Sequence, residues 1–150
     1  MPSFDSIVDA WFLKSIEIYS PAVRDTLIRT TDRFRNPMAF NLRQSLKTLV
    51  NQVAGQMNPE AVNKALDGIV RLRAVQECSQ SEAVSFVARL EEVIREQHAE
   101  TLFPNLKQHI GQLTERALLQ YNSCREEILR VRYRSEQRLR TLEPWMRQSL

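Results

Sequence analysis

Glycine and cysteine are both scarce in this chain of 150 residues. Three glycines are too few for a glycine-rich phosphate-binding loop or for the many tight turns of an all-β fold. The only cysteines, Cys78 and Cys124, lie far apart and lack the paired spacing of a zinc site or a C-x-x-C redox motif. We therefore expect no metal site and two reduced thiols, as in a cytoplasmic protein.

The sequence also lacks a long apolar run and a basic leader. No apolar run approaches the ~18 residues that a membrane-spanning helix needs, so we expect no membrane insertion. The first residues, MPSFDSIVDAWF, carry acidic side chains and no basic region before the apolar stretch, unlike a signal peptide. No serine or cysteine lies in a sharp strand-to-helix turn, and the carboxylates follow the polar faces of helices. We therefore expect no catalytic residues and no enzymatic activity.

Helical periodicity is what the sequence does contain. Apolar residues recur at intervals of three and four along most of the chain, which is the spacing of amphipathic helices. Four capping signatures mark where helices begin: Ser20-Pro21, Asn36-Pro37, Asn58-Pro59 and the capping box Ser79/Glu82. The sequence predicts an all-α fold of about six helices in a single globular bundle over residues 1–150, with no strand of useful length.

The last predicted helix is unusually long, from about residue 104 to 143, with Pro104 in its first turn and Pro144 ending it. A helix of about 38 residues would be about 57 Å long at 1.5 Å per residue, so its end should project from the bundle. Its seam alternates between intervals of four and three, as in a coiled coil: Ala117, Tyr121, Cys124, Ile128, Val131, Ser135, Arg138, Leu142 and Trp145. A solvated surface is one interpretation of the projecting part. The other is a partner-binding extension, and we expect a homodimer through Ile128, Val131, Leu142 and Trp145.

Positive charge is concentrated in this helix but is modest overall. The protein has a net charge of +3, and residues 125–147 contain seven arginines and four glutamates. Because glutamates interrupt the cluster and no DNA-reading motif is present, we expect no binding to nucleic acid.

The stretch TDRFRNPMAF, residues 31–40, interrupts the helical pattern just before Asn36. We expect Phe34 to fill the core at this corner, with a contact to a ligand as the alternative. Arg33 and Arg35 flank it and should face solvent, where they could contact a partner.

Arg73 is a charged residue on the apolar side of the predicted fourth helix, four positions after Ile69. Gln76 is expected on the same side, whereas Arg71 points away. A buried guanidinium needs partners. One interpretation is that Arg73 caps the carbonyls of its own helix or pairs with Asp32 or Glu82. The alternative is that Arg73 and Gln76 line a ligand pocket and bind an anionic group.

His98 and His109 are the only histidines and therefore the candidate haem ligands. His98 lies in a polar run and should be exposed, whereas His109 lies nearer an apolar stripe. Neither has an aromatic-lined apolar face around it in the sequence, so we expect no haem and no other cofactor. Cys124 falls on the seam and should be buried. Cys78 precedes a capping box, where a helix N-terminus would lower its thiol pKa and favour redox sensing.

Three stretches together resemble the N-terminal domain of the RsbT co-antagonist RsbRD family: DRFRNPMAFNLRQSLKTLV, LDGIVRLRAVQECSQSEAVSFVARLEEVIREQ and YNSCREEILRVRYRSE. The resemblance covers roughly residues 5–140 and lies in the order of the segments, since no single motif is chemically diagnostic. It implies an all-helical bacterial input domain that normally feeds a STAS domain or a kinase, neither of which is found before Leu150. A related stressosome domain resembles a globin without haem, so a globin-like arrangement and another orthogonal bundle are both open.

The resemblance thus implies a non-enzymatic sensory or regulatory domain of bacterial signal transduction, which binds a small molecule or a protein. The expected protein partners are a kinase, a STAS-domain protein or a respiratory-complex protein. The alternative is a structural adaptor, attached to a redox or signalling assembly and without a ligand of its own.

Overall fold

The described part of the chain contains six α-helices, one after another. The computed structural model describes residues 3–29, 32, 34–76 and 78–148, without the side chains of 143–148. Its α-helices are α1 (Phe4–Ser15), α2 (Pro21–Arg29), α3 (Pro37–Ala54), α4 (Pro59–Val75), α5 (Gln80–Glu96) and α6 (Leu106–Gln148). Short 3₁₀ helices occur at Ile16–Ile18 and Glu100–Leu102, and the described residues contain no strand. The prediction of an all-α fold with a long C-terminal helix is confirmed.

The predicted caps begin four of these helices; at α2 the Ser20 side chain accepts a hydrogen bond from the Val23 N–H over 3.4 Å. The Asn36 side chain accepts a hydrogen bond from the Ala39 N–H at the start of α3. The Asn58 side chain accepts from the first N–H groups of α4. Ser79 and Glu82 form the reciprocal capping box of α5, each bonding the other's backbone N–H. Because the first N–H groups of a helix have no partner within it, these side chains fix where each helix starts.

The end of α5 has a C-terminal cap that the sequence did not predict. His98 has a φ of 53°, in the left-handed region. Its N–H bonds the Arg95 carbonyl, and the Ala99 N–H bonds the Ile94 carbonyl, which is the Schellman arrangement. Glycine usually occupies this position, so a histidine here carries backbone strain.

Five of the helices close into a ring around one apolar core. In this ring α1 packs on α3, α3 on α4, α4 on α6, α6 on α5, and α5 back on α1, while α2 touches chiefly α3. At the centre the Trp11 ring stacks on Phe86, and its Nε1–H donates to the Phe86 carbonyl over 2.6 Å. The predicted stripes of α4 and α5 are buried as expected: Val62, Leu66, Ile69, Val70, Ala83, Val87, Leu90 and Ile94.

The bounds of α6 differ from the prediction at both ends. Pro104 precedes the helix, which begins at Leu106, and the helix continues through Pro144 to Gln148. A proline removes one backbone hydrogen bond and usually ends or kinks a helix, but α6 continues for four residues beyond Pro144. At 1.5 Å per residue the 43 residues of α6 span about 65 Å. None of the described helices combines the length and the apolar character that crossing a membrane would require.

Candidate functional site

Arg73 joins three elements at one end of the bundle. It is 1 % exposed, in the last turn of α4, so the prediction that it points inward is confirmed. Nη2–H donates to the Ser15 carbonyl oxygen over 2.7 Å. Nη1–H donates to the carbonyl oxygens of Glu82 and Ala83 over 3.3 and 3.2 Å. The guanidinium therefore caps the end of α1 and contacts the first turn of α5.

The electrostatics of Arg73 are those of a buried cation held by dipoles. Its Cζ lies 5.0 Å from the centroid of the Phe86 ring, in cation–π range. Burial lowers the pKa of the guanidinium, and the neighbouring Tyr19 side chain partly opposes this. The helix C-terminus at Ser15 carries partial negative charge and so compensates some of the buried positive charge.

The predicted partners of Arg73 are corrected by this geometry. The guanidinium bonds neither its own helix nor a carboxylate; Glu82 contributes its main-chain carbonyl instead. The Glu82 carboxylate accepts a hydrogen bond from the Ser79 N–H in the capping box, and it does not face Arg73. Arg71 is exposed, as predicted, and pairs with Asp67 and Glu127.

Gln76 and Phe34 do not lie where the sequence placed them. Gln76 is exposed: it is the C-terminal cap residue of α4, and its N–H still bonds the Leu72 carbonyl. Phe34 is 87 % exposed, and its backbone N–H bonds the Asp32 carboxylate in a turn that directs the ring outward. Asn36 is buried at this corner instead, where its Nδ2–H donates to the Thr26 carbonyl over 2.9 Å. The structure does not bring Gln76 and Phe34 together with Arg73 in one pocket.

A cleft of about 220 Å³ opens between α3 and α4. Gly68 helps to keep it open, since a Cβ at this position would lie 3.3 Å from the Ser45 Oγ. Its lining is mostly apolar, with hydroxyl and amide groups among the apolar side chains: Tyr19, Met38, Asn41, Leu42, Ser45, Gly68, Ile69 and Leu72. Tyr19 also neighbours Arg73, so the cleft and the buried cation share one side chain. A larger groove of about 480 Å³, lined by Glu115 and Arg116 among others, is more polar.

The thiols and imidazoles have ordinary surroundings. Cys124 is buried on the α6 seam, as predicted. Cys78 is partly buried, and burial raises its thiol pKa despite the nearby Arg73, so the expected lowering is wrong. His98 is exposed, as predicted. His109 is buried, and its Nδ1 lies 2.8 Å from the Val53 carbonyl oxygen, in hydrogen-bonding contact.

The environment of α6 changes abruptly along its length. Its first half carries the buried residues Ile110, Leu113, Ala117, Tyr121 and Cys124, which face α4 and α5. At the end of this half, Arg125 donates a hydrogen bond to the Ala74 carbonyl, and Arg71 forms an ion pair with Glu127. Ile128 is half-buried, and every residue from 129 to 142 is exposed. We call residues 129–142 the α6 extension.

Two of the predicted partner-binding residues lie on this extension and are uncovered. Val131 is 61 % exposed and Leu142 is 52 % exposed. The sequence interpretation placed Arg138 on the seam and missed Leu139, which is 61 % exposed. After Val131 the intervals that follow one face of a straight helix are four, four and three, which selects Ser135, Leu139 and Leu142. The strict alternation of four and three led to Arg138 instead.

Of the three remaining predicted site residues, the structure describes the side chain of one, Arg35. Arg35 is exposed, as expected, and lies 3.7 Å from the Asp32 carboxylate. Arg33 and the side chain of Trp145 lie outside the described residues. The sequence carried no signal for the α3–α4 cleft apart from Gly68, a glycine inside an otherwise regular helical pattern.

Comparison with protein-family models, with curated proteins and with solved structures gave no match for this chain. The resemblance to the RsbRD N-terminal domain therefore stays a prediction from the sequence segments.

Proposed function

We propose that this chain is a non-enzymatic regulatory domain that senses a small molecule and acts on a protein partner through α6. One observation carries the proposal: α6 is a core element of the bundle up to Cys124 and is uncovered from residue 129 onward. A single helix thus belongs both to the folded core and to a surface that projects from it. Bacterial input domains of the kind that the sequence resembles act on such an output partner.

The α3–α4 cleft is the proposed input. Ile69 and Leu72 line it from α4, and α4 packs along α6. A ligand that changes the distance between α3 and α4 would therefore shift α4 against α6. The cleft volume and its apolar lining fit a small apolar molecule that offers one or two hydrogen-bonding groups to Ser45, Asn41 or Tyr19.

Native mass spectrometry of the full chain, incubated with the low-molecular-weight extract of its source cells, tests the input. We expect one small-molecule adduct on the wild type and its loss in Gly68→Leu, which fills the cleft from α4. Gly111→Leu is the matched control, since a Cβ at Gly111 meets no atom within 4 Å. Ser45→Met fills the cleft from the other side and should also lose the adduct.

The structural adaptor is the second candidate, and two observations favour it. The two Nη atoms of the buried Arg73 already donate to three carbonyl oxygens, so among the described residues only its Nε–H is left without a partner. The cleft is also smaller than the ~300 Å³ at which typical ligand pockets begin. Absence of any adduct on the wild type would support the adaptor and contradict the sensor.

A further inference from the structure

The buried seam of α6 continues onto the α6 extension, where the described residues provide no neighbour. Beyond Cys124 the same face carries Ile128, Val131, Ser135, Leu139 and Leu142, which we call the extension stripe. At about 100° per residue these five side chains fall within roughly 80° of one another around the helix axis. In the first half of α6 this face is covered by α4 and α5. This cover stops where α4 ends, at Val75, and where α5 begins, at Gln80. The natural occupant of the stripe is therefore another helix, lying where α4 and α5 would lie if they were longer.

The charges beside the stripe indicate what kind of helix this is. The α6 extension contains five arginines and one glutamate, Glu136. Around the helix axis, Arg132 lies about 60° to one side of the midline of the stripe, and Arg138 lies about 60° to the other side. Among the described residues, Arg134, Arg138 and Arg140 form no ion pair, and Arg130 only approaches Glu126 at 3.9 Å. An apolar stripe between rows of arginine matches a helix whose own apolar stripe is flanked by carboxylates.

A second copy of this chain is a poorer match. Two extensions would bring ten arginines together with two glutamates. In a parallel pair the Arg138 side of one helix would meet the Arg132 side of the other, where Glu136 is the only carboxylate of the extension. In an antiparallel pair centred on Ser135, Glu136 could meet Arg132 on one side, but Arg134 and Arg138 would face each other on the opposite side. Like charges across a helix pair oppose association.

An anionic membrane surface is also a poorer match. A helix that lies on a membrane presents one broad apolar face and one charged face. In the α6 extension, Leu129 and Tyr133 are exposed on the side away from the stripe, about 200° round from Val131 in the case of Tyr133. Arginines occur on every side between them, so no single face could enter the lipid.

We propose that the extension stripe binds an amphipathic helix of a partner protein whose apolar stripe is flanked by aspartate or glutamate. This inference rests on the proposed function only in that the domain acts through a protein partner. It does not depend on a ligand in the α3–α4 cleft. The homodimer expected from the sequence is the competing occupant.

Two designed peptides of three heptads test this proposal on the full chain. Both have leucine at the two seam positions; one has glutamate and the other lysine at the flanking positions, so that neither pairs with itself. Fluorescence anisotropy should show the glutamate peptide binding at least about tenfold more tightly than the lysine peptide. Its affinity should fall as salt rises, because salt screens exposed charges.

Charge reversal supplies the decisive variant. Arg134→Glu with Arg138→Glu should invert the preference, so that the lysine peptide binds better. Arg29→Glu with Lys64→Glu makes the same charge change on exposed residues of α2 and α4 and should leave the preference as in the wild type. Val131→Ser with Leu139→Ser should lose both peptides, with circular dichroism checking that the helical content is kept.

Three results would overturn the proposal. The first is no binding of either peptide, or equal binding of both. The second is self-association of the wild type in analytical ultracentrifugation, abolished by Val131→Ser with Leu139→Ser and not competed by the glutamate peptide. The third is binding to phosphatidylserine vesicles that the same double variant abolishes. The cleft experiment can fail while the glutamate peptide still binds, so failure of the proposed sensor and failure of this inference are distinguishable.

Discussion

The Arg73 guanidinium donates to the carbonyl oxygen of Ser15, the last residue of α1, over 2.7 Å. The two residues are 58 positions apart in sequence. The same guanidinium bonds the first turn of α5. Arg73 of α4 thus links α1 and α5, which also pack directly on each other. It links them by hydrogen bonds to main-chain carbonyls and not by an ion pair.

We predict that Arg73→Ala lowers the free energy of unfolding by about 3 kcal/mol. The change leaves buried carbonyl oxygens without their donor and opens a cavity beside Phe86. Arg73→Met, which refills most of the volume, should lose less. Urea denaturation followed by circular dichroism measures each value.

Arg71→Ala is the control for this prediction, since Arg71 lies two residues away on the exposed face of α4. Its ion pairs are solvent-exposed, so we expect a loss of at most about 1 kcal/mol. Equal losses for Arg71→Ala and Arg73→Ala would show that the buried hydrogen bonds do not matter to stability.

The two caps should differ in their contribution to stability. Ser79→Ala removes one capping bond and should cost about 1 kcal/mol. Asn36→Ala should cost about 2 kcal/mol, since the buried amide also donates to the Thr26 carbonyl. Asn36→Asp keeps the side-chain oxygen that caps α3 but loses the N–H that donates to Thr26. Its melting temperature in thermal denaturation should therefore be lower than that of the wild type. A wild-type melting temperature for Asn36→Asp would contradict the bridging role.

The Glu82 carboxylate should make the capping box pH-dependent. Its hydrogen bonds to Ser79 lower its pKa from the ordinary 4.5. A lowered carboxyl pKa stabilises the fold above the ordinary value, and this contribution is lost as pH falls through the lowered one. The difference in melting temperature between the wild type and Glu82→Gln should therefore be greatest near neutral pH and shrink below pH 4.5.

Removing the strain at His98 should stabilise the protein. His98→Gly places the residue that tolerates φ of 53° best at the end of α5, and we expect a gain of about 1 kcal/mol. Ala88→Gly, at an exposed position inside α5, should instead lose about 1 kcal/mol. A loss for His98→Gly in chemical denaturation would mean that the imidazole makes a stabilising contact that outweighs the strain.

The helices and their starts could be predicted because they depend on local sequence. Asn36, Asn58 and Ser79 each cap the helix that follows, and hydrophobic periodicity located the core faces of α4 and α5. The inward direction of Arg73 also followed from helical periodicity. Its partners did not, since they are main-chain carbonyls of α1 and α5 that only the packing of three helices brings together.

The errors at Phe34 and Gln76 have a common cause. Both residues lie just outside a helix, and the prediction assumed that burial continues across the boundary. The corner before α3 is filled by the amide of Asn36, because an amide can satisfy both the cap and the carbonyls of α2. A phenyl ring could satisfy neither, and Phe34 is exposed.

The most direct test of the account is hydrogen–deuterium exchange along α6 of the isolated full chain. Helical amides that lack tertiary support exchange quickly, whereas amides of the core exchange only on global opening. We predict strong protection over residues 110–124, weak protection over 130–142, and a gain of protection over 130–142 when the glutamate-flanked peptide is added. Protection in 130–142 equal to that of 110–124 in dilute protein alone, or no gain with the peptide, would contradict the claim that the α6 extension is an uncovered surface awaiting a partner helix.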